Sequence, residues 1–152
     1  MDVSISMNTD CDGFLSQECP ACTGRFKAKF GEGSDQPISF CPYCCHMGQR
    51  CWWTPEQAAY IGAMGQNAAS GLVADELDKM AKKINRQSKS GLIKIKMTTE
   101  RARPQRAVAP AEPDDKMSVF DFPCCGERIK HNSVQDKLFC VICGNEHTVS
   151  IG

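Results

Sequence analysis

Two C-x-x-C pairs in the N-terminal third constrain this sequence more than any other feature. The pairs are Cys19-Pro20-Ala21-Cys22 and Cys41-Pro42-Tyr43-Cys44, with eighteen residues between them. A two-residue gap lets both sulfurs of a pair reach one ion at about 2.3 Å. Two such pairs at this spacing are typical of a zinc site, and the remaining alternatives are disulfides or free thiols.

The cysteine content matters because of the compartment that the rest of the sequence indicates. The chain has 11 cysteines in 152 residues. Its first ten residues lack the basic and apolar regions of a signal peptide, and no apolar run is long enough to cross a membrane. We therefore expect a cytoplasmic protein with no membrane partner, in which paired cysteines bind metal rather than form disulfides.

The residues between the two pairs predict a β-hairpin. Apolar and basic residues alternate over 25–30, a turn is expected near 31–35, and 38–40 is predicted to return as a second strand. Four thiolates leave no open coordination position, so this site is expected to be structural. Cys45, His46 and Cys51 lie close by, as an alternative ligand, as residues that contact the ligands, or as bystanders.

A second cysteine module near the C-terminus has a less regular ligand pattern. Its final knuckle is Cys140-Val141-Ile142-Cys143-Gly144, and its first is Phe122-Pro123-Cys124-Cys125-Gly126. Alignment on Pro and Gly puts Cys125 at the second ligand position and Phe122 at the first. Cys125, Cys140 and Cys143 are thus three ligands. Cys124 is the first choice for the fourth; the alternatives are His131, His147, a water molecule or a ribbon without metal.

Catalytic signatures are absent from the sequence. Neither H-E-x-x-H nor the H-x-E of zinc deaminases is present. We expect no catalytic residue, no enzyme activity and two zinc ions per chain.

A long amphipathic helix is predicted between the modules, from about 54 to about 88. Thr54 is a candidate N-cap, Pro55 suits the first helical position and Gln57 completes a capping box. Gly62, Gly65 and Gly71 weaken the helix and leave a break there open. Alternation from 92 to 98 predicts a strand. The predicted organisation is a polar leader (1–13), an N-terminal zinc ribbon (14–53), the central helix (54–90), the strand (91–98), a linker containing Pro and Arg (99–116) and a C-terminal zinc ribbon (117–152).

The knuckles resemble those of the zinc-ribbon superfamily. This resemblance covers about half the chain and implies fold and metal but no particular function. The Cys51-Trp52-Trp53-Thr54-Pro55-Glu56-Gln57 stretch, the helix and the second module also look like uncharacterised bacterial proteins with a ribbon at each end of a helix. The expected fold is small, metal-stabilised α+β, with two zinc-ribbon β-hairpin modules flanking a long central α-helix.

Charge segregation favours nucleic acid as the partner. The net charge is zero, but 79–106 contains ten Lys and Arg against one acid, a net of +9 between two acidic ends. Such a block engages phosphates without sequence preference. A basic strand face at Arg25, Lys27 and Lys29 adds to it, and Trp52 or Trp53 could stack on a base. The candidate contact residues are Lys82, Lys83, Arg86, Lys94, Lys96 and Trp53.

A protein–protein adaptor is the alternative function. Two rigid ribbons on a helix form a spacer with two docking heads, and the basic block could bind an acidic protein surface. Small residues along the helix would allow a homo-oligomer to pack closely. A thiol-redox sensor using Cys11, Cys45 or Cys51 is a third hypothesis, with no positive signature.

Overall fold

The computed structural model describes residues 4–30, 37–48, 52–88, 96–113, 116–132 and 134–150. Cys51, Lys94, most of the predicted 91–98 strand and the predicted 31–35 turn lie outside these ranges. The regular elements within the described residues are β1 (Phe14–Glu18), β2 (Arg25–Lys29), α1 (Pro55–Gln87), β3 (Ser118–Asp121), β4 (Arg128–His131), β5 (Lys137–Phe139) and β6 (Glu146–Thr148). This is an α+β fold.

The chain forms two compact units. The ribbon unit comprises Ser6–Ala58 and Ala109–Gly152, and the helix unit comprises Met1–Ile5 and Ala59–Val108. Both cysteine modules therefore belong to one unit, although they lie on opposite sides of the helix in the sequence. The expected flanking arrangement is not confirmed.

A four-stranded antiparallel sheet joins the two modules, in the order β1-β2-β4-β3. β1 and β2 form one hairpin, β3 and β4 form another, and the central strands β2 and β4 pair with each other. In that central pair Lys27 lies opposite Lys130, with Phe26 opposite His131 on one side and Ala28 opposite Ile129 on the other. The two hairpins are thus related by a local two-fold axis at the lysines.

The predicted pairing of 25–30 with 38–40 is wrong. Arg25–Lys29 does form a strand, but its partners are β1 and β4, and Phe40 forms an isolated bridge to Met47. The backbone N–H groups of Ser39 and Phe40 instead donate to the Val141 carbonyl at 2.8 and 3.0 Å. Segment 38–40 therefore pairs with the second module, because that module provides the carbonyl its amides need.

One hydrophobic core serves both modules. Phe26, Trp52, Phe122, Ile129 and Leu138 are buried in it together with cysteines of each module. The Trp52 indole packs edge-on to Phe26 with ring centroids 6.1 Å apart, and its Nε1 donates to the Ile38 carbonyl at 3.1 Å. Small modules that bury little apolar surface alone gain stability by sharing a core.

The opposite face of the sheet is polar, and it is covered. Lys27 is 1% exposed; its Nζ lies 3.3 Å from Glu112 Oε1 and 3.8 Å from Asp10 Oδ2, and it also donates to the Pro113 carbonyl. Lys130 pairs with Asp10 at 2.7 Å and with Asp12 at 2.6 Å. The leader and residues 109–113 thus supply the carboxylates that burying these amines requires.

The expected basic face of β2 is only partly open to solvent, because its central cation is buried and the outer two are exposed but hydrogen-bonded. Lys27 is buried among acids, and Arg25 pairs with Glu18 at 2.8 Å. Lys29 donates to the Asp12 carbonyl at 2.8 Å. The alternation over 25–30 predicted an exposed basic face, because a local pattern contains no information about acidic segments elsewhere in the chain that pack on it.

The predicted helix is confirmed and is continuous through its glycines. Thr54 and Gln57 form the predicted capping box, with the Thr54 N–H 3.1 Å from Gln57 Oε1 and the Gln57 N–H 3.3 Å from Thr54 Oγ1. The Gln57 amide also donates to the Ser16 carbonyl at 3.0 Å, which ties the helix start to β1. At 33 residues the helix is about 50 Å long.

An extended segment, residues 97–105, runs antiparallel along α1; we call it the strap. Asn85 accepts from the Met97 N–H at 2.9 Å and donates to the Met97 carbonyl at 3.0 Å. Asn67 does the same for Gln105, at 2.7 and 2.8 Å. The asparagines are five helical turns apart, a rise of about 27 Å. Eight extended residues span about 26 Å, so the strap fits the helix between the two brackets.

The strap combines residues of the predicted 91–98 strand with residues of the predicted 99–116 linker. Residues 96–98, the described end of the predicted 91–98 strand, belong to no sheet. Thr99 donates to Asp78, and Arg101 pairs with Asp75 at 2.9 Å and with Asp78 at 2.7 Å. Residues of the predicted linker are thus hydrogen-bonded to the helix.

Replacing both bracket residues, Asn67→Ala with Asn85→Ala, should release the strap. Each substitution removes two hydrogen bonds between the asparagine side chain and the strap backbone, and each bond contributes about 1 kcal/mol. We expect faster hydrogen exchange at the Met97 and Gln105 amides by roughly tenfold or more, with the β2–β4 amides unchanged. The matched control is Gln66→Ala on an exposed position of the same helix. Unchanged exchange in the double variant would contradict the bracket.

Candidate metal centres

The eight clustered cysteines lie in four knuckles that share one pattern of backbone hydrogen bonds. In each, the N–H of the first residue donates to a carbonyl five residues on, and the N–H four residues on donates back to the first carbonyl. Cys19, Cys41, Phe122 and Cys140 hold the first position. The alignment that put Phe122 at the first position and Cys125 at the second is thereby confirmed.

Each knuckle requires one residue with positive φ, at the position after the second ligand. Gly126 and Gly144 occupy it in the second module with φ of 67° and 74°, and Thr23 and Cys45 occupy it in the first with 57° and 56°. Glycine adopts this conformation without the cost that a side chain brings. Gly144 has a second constraint, because an added Cβ would lie 3.1 Å from the Phe40 ring.

The first cluster brings together the four predicted ligands Cys19, Cys22, Cys41 and Cys44. The sulfurs of Cys19 and Cys44 are 3.7 Å apart, as are those of Cys22 and Cys41. Cys19 and Cys41 are fully buried, and their sulfurs each accept a backbone N–H at 3.4 Å. Such N–H groups stabilise thiolates, so this group could hold a metal ion.

The second cluster brings together Cys124, Cys125, Cys140 and Cys143. Cys140 is buried, Cys125 is half-buried and the other two are exposed. Phe122 is fully buried at the position that a cysteine holds in the first site. Cys124 therefore supplies a sulfur from the residue beside Cys125 rather than from three residues before it. This group could also hold a metal ion.

The structure separates the alternatives for the fourth ligand. The grouped donors are the four sulfurs, and neither histidine is among them, but Nε2 of His147 lies 3.2 Å from Cys124 Sγ. His131 is 4% exposed on β4, its ring lies edge-on to Phe120, and its Nδ1 has no hydrogen-bond partner among the described residues. Of the residues flanking the first site, Cys45 contacts the Gly144 carbonyl at 3.6 Å and His46 packs near Trp52.

The second cluster without metal favours protonated thiols at two positions. Desolvation and neighbouring thiols raise the pKa of Cys124 to about 12, and the adjacent Cys143 and desolvation raise the pKa of Cys125 to about 11. The backbone N–H of Asn145 lowers the pKa of Cys143 to about 7. A cation that binds here must displace protons, so its affinity falls as the pH falls.

The basic candidates lie in the helix unit. Lys82, Lys83, Arg86 and Lys96 are exposed, and none forms an ion pair with an acid that the structure describes. Lys94 lies outside the described residues. Trp53, in the ribbon unit, is half-buried, while Trp52 belongs to the core.

Comparisons with known proteins add no family to this description. No protein-family model, curated protein or solved structure matches the chain. Among the described residues, no helix combines the length and apolar character needed to cross a membrane.

Replacing Cys19 with Ser should remove one of two bound metal ions and unfold the first module. Structural metal binding contributes on the order of 10 kcal/mol to a core of this size. Elemental analysis after reconstitution with Zn²⁺ gives the stoichiometry. Cys11→Ser, at an exposed cysteine outside both clusters, is the matched control and should retain two ions. Two ions in Cys19→Ser would show that the first cluster is not a site.

Proposed function

We propose that this protein is a non-enzymatic zinc protein whose helix unit binds nucleic acid through phosphate contacts. The observation that carries the proposal is a group of four exposed cations without ion pairs to described acids. We call this group the cation patch; its members are Lys82, Lys83, Arg86 and Lys96.

The donor chemistry of the first cluster supports zinc. Four ligands at about 2.3 Å from a tetrahedral ion lie about 3.8 Å from one another. The sulfur separations of 3.7 Å fit that arrangement. Four thiolates around zinc leave no position for a substrate, which favours a structural role over catalysis.

The strap assembles the cation patch. On α1, Arg86 is four residues after Lys82 and three after Lys83. Residues at these spacings are neighbours on the helix surface, so the three cations cover one sector of the helix. The Asn85–Met97 hydrogen bonds hold the neighbouring Lys96 beside that end of the helix. The four positive charges are then gathered within the helix unit.

Ion pairing removes two cations from the basic block, and Arg103 and Arg106 are exposed outside the cation patch. Arg101 is neutralised by Asp75 and Asp78, and Lys79 pairs with Glu76 at 2.6 Å. The sequence pI of 6.8 does not argue against phosphate binding, because the field near a surface depends on local charge.

Neutralising the cation patch should weaken nucleic-acid binding without unfolding the ribbons. In the variant Lys82→Gln, Lys83→Gln, Arg86→Gln, affinity for unrelated duplexes should fall about equally, because phosphate contacts carry no sequence information. The slope of log K against log salt should fall by about 0.9 for each phosphate that the variant no longer neutralises. Fluorescence anisotropy over a salt series measures both quantities.

Lys79→Gln is the matched control for this experiment. It removes one charge from the same exposed helix, but that charge is already paired with Glu76. The control should bind nearly as the wild type does. If the zinc-loaded wild type fails to bind single- or double-stranded DNA or RNA at low micromolar concentration in low salt, the nucleic-acid proposal is wrong.

Protein–protein association through α1 is the second candidate function. Four large apolar side chains of the helix are substantially exposed: Leu72 (49%), Val73 (59%), Leu77 (39%) and Met80 (54%). An antiparallel second copy centred between Asp78 and Lys79 would place Leu77 opposite Met80. The same pairing would place Val73 opposite Ile84, on the same face of the helix, so the contact would be apolar.

Self-association tests this second candidate. We expect the wild type to dimerise in sedimentation experiments and Leu77→Gln with Met80→Gln to be monomeric. Val134→Gln is the control, because Val134 is 90% exposed and lies in the ribbon unit. A monomeric wild type at tens of micromolar would reject a homo-oligomer.

A further inference from the structure

A histidine nitrogen lies next to one of the four grouped sulfurs of the second cluster. Cys124 Sγ lies 3.5 Å from Cys143 Sγ and 3.2 Å from His147 Nε2. The sulfurs of Cys125 and Cys140 complete the group of four, and His147 is outside it. A tetrahedral ion binds four ligands, so one of these five side chains is left over.

Cys124 is the weakest-placed of the sulfurs. It is exposed, and it directly precedes another ligand instead of holding the first position of a knuckle. That position belongs to Phe122, which is fully buried and carries no donor. The corresponding sulfurs of the first site, Cys19 and Cys41, are buried and accept backbone N–H groups.

His147 is fixed next to Cys124 by its strand pairing and by two aromatic rings. The residue lies in β6, paired with Leu138 of β5. Its ring packs against Phe122 with centroids 5.6 Å apart and against Phe120 with centroids 6.4 Å apart. Nε2 is thus next to the sulfur that it would replace, and taking that ligand position requires the imidazole to move towards the other three sulfurs.

We propose that the second site exchanges ligands, with His147 replacing Cys124 to give a Cys3His site and an exposed, free Cys124 thiol. The Cys124 Sγ–metal bond breaks and a His147 Nε2–metal bond forms. The released thiolate takes up one proton from solvent, and the neutral imidazole keeps its proton on Nδ1. This inference rests on the proposal that the clusters bind zinc. The partner of the free thiol is an alkylating electrophile: the Cys124 sulfur forms a bond to its carbon and displaces the leaving group while the metal stays bound.

Cobalt substitution tests which donors can hold the second ion. In full-length protein loaded with Co²⁺, Cys124→Ser should still bind two ions, with the thiolate-to-cobalt absorbance about one eighth lower because seven of eight thiolates remain. His147→Ala should bind two ions with undiminished absorbance. The double variant should bind the second ion much more weakly than either single variant.

Alkylation tests the exchange in the wild type. Iodoacetamide applied to zinc-loaded protein should modify Cys124 before the other seven clustered cysteines, with two zinc ions retained. In His147→Ala, modification of Cys124 should release one ion. Mass spectrometry under native conditions counts both events, and the first site serves as the internal measure of folding.

The outcomes distinguish failure of the ligand exchange from failure of the zinc proposal on which it rests. Loss of the second ion in Cys124→Ser alone, or zinc release on alkylation of wild-type Cys124, would overturn the exchange. Two tightly bound ions in the double variant would assign the fourth position to water and overturn it as well. A wild type that binds no metal at all would instead overturn the zinc proposal.

Discussion

The pairing of Lys27 with Lys130 is the contact on which the rest of the ribbon unit depends. It lies at the centre of the only strand pair, within the described residues, that joins the two modules. Two like charges directly opposite each other destabilise a sheet unless they are neutralised. Asp10, Asp12 and Glu112 neutralise them. The sheet therefore fixes the leader and residues 109–113 as well as the two hairpins.

The local two-fold relation explains how the two cysteine clusters can share a design and still differ. All four knuckles keep the same backbone hydrogen bonds and the same positive-φ position. A buried Phe122 in place of a cysteine preserves the knuckle, because the knuckle depends on backbone groups. The second cluster instead takes a sulfur from the exposed Cys124 and has His147 beside it. Two cysteines are buried in the first cluster and one in the second, so the second is more open to solvent.

Local signals in the sequence predicted the helix and the knuckles correctly. The capping box and the periodicity predicted α1 nearly to the residue, and the alignment of Phe122 with a ligand position was right. The strands β1 and β3, the β2–β4 pair and the strap were not predicted. These depend on contacts between residues that are far apart in sequence. The shared Arg25-Phe26-Lys27 and Arg128-Ile129-Lys130 patterns were the available signal for the central pair.

The central claim is that both modules fold as one sheet around the lysine pair, and solution NMR of the zinc-loaded protein tests it most directly. The account predicts cross-strand contacts between backbone protons of Ala28 and Ile129 and of Phe26 and His131. These should be as strong as the contacts between Leu15 and Ala28 within the first hairpin, since all are neighbouring antiparallel strands. Contacts within each hairpin but none between β2 and β4 would contradict the account.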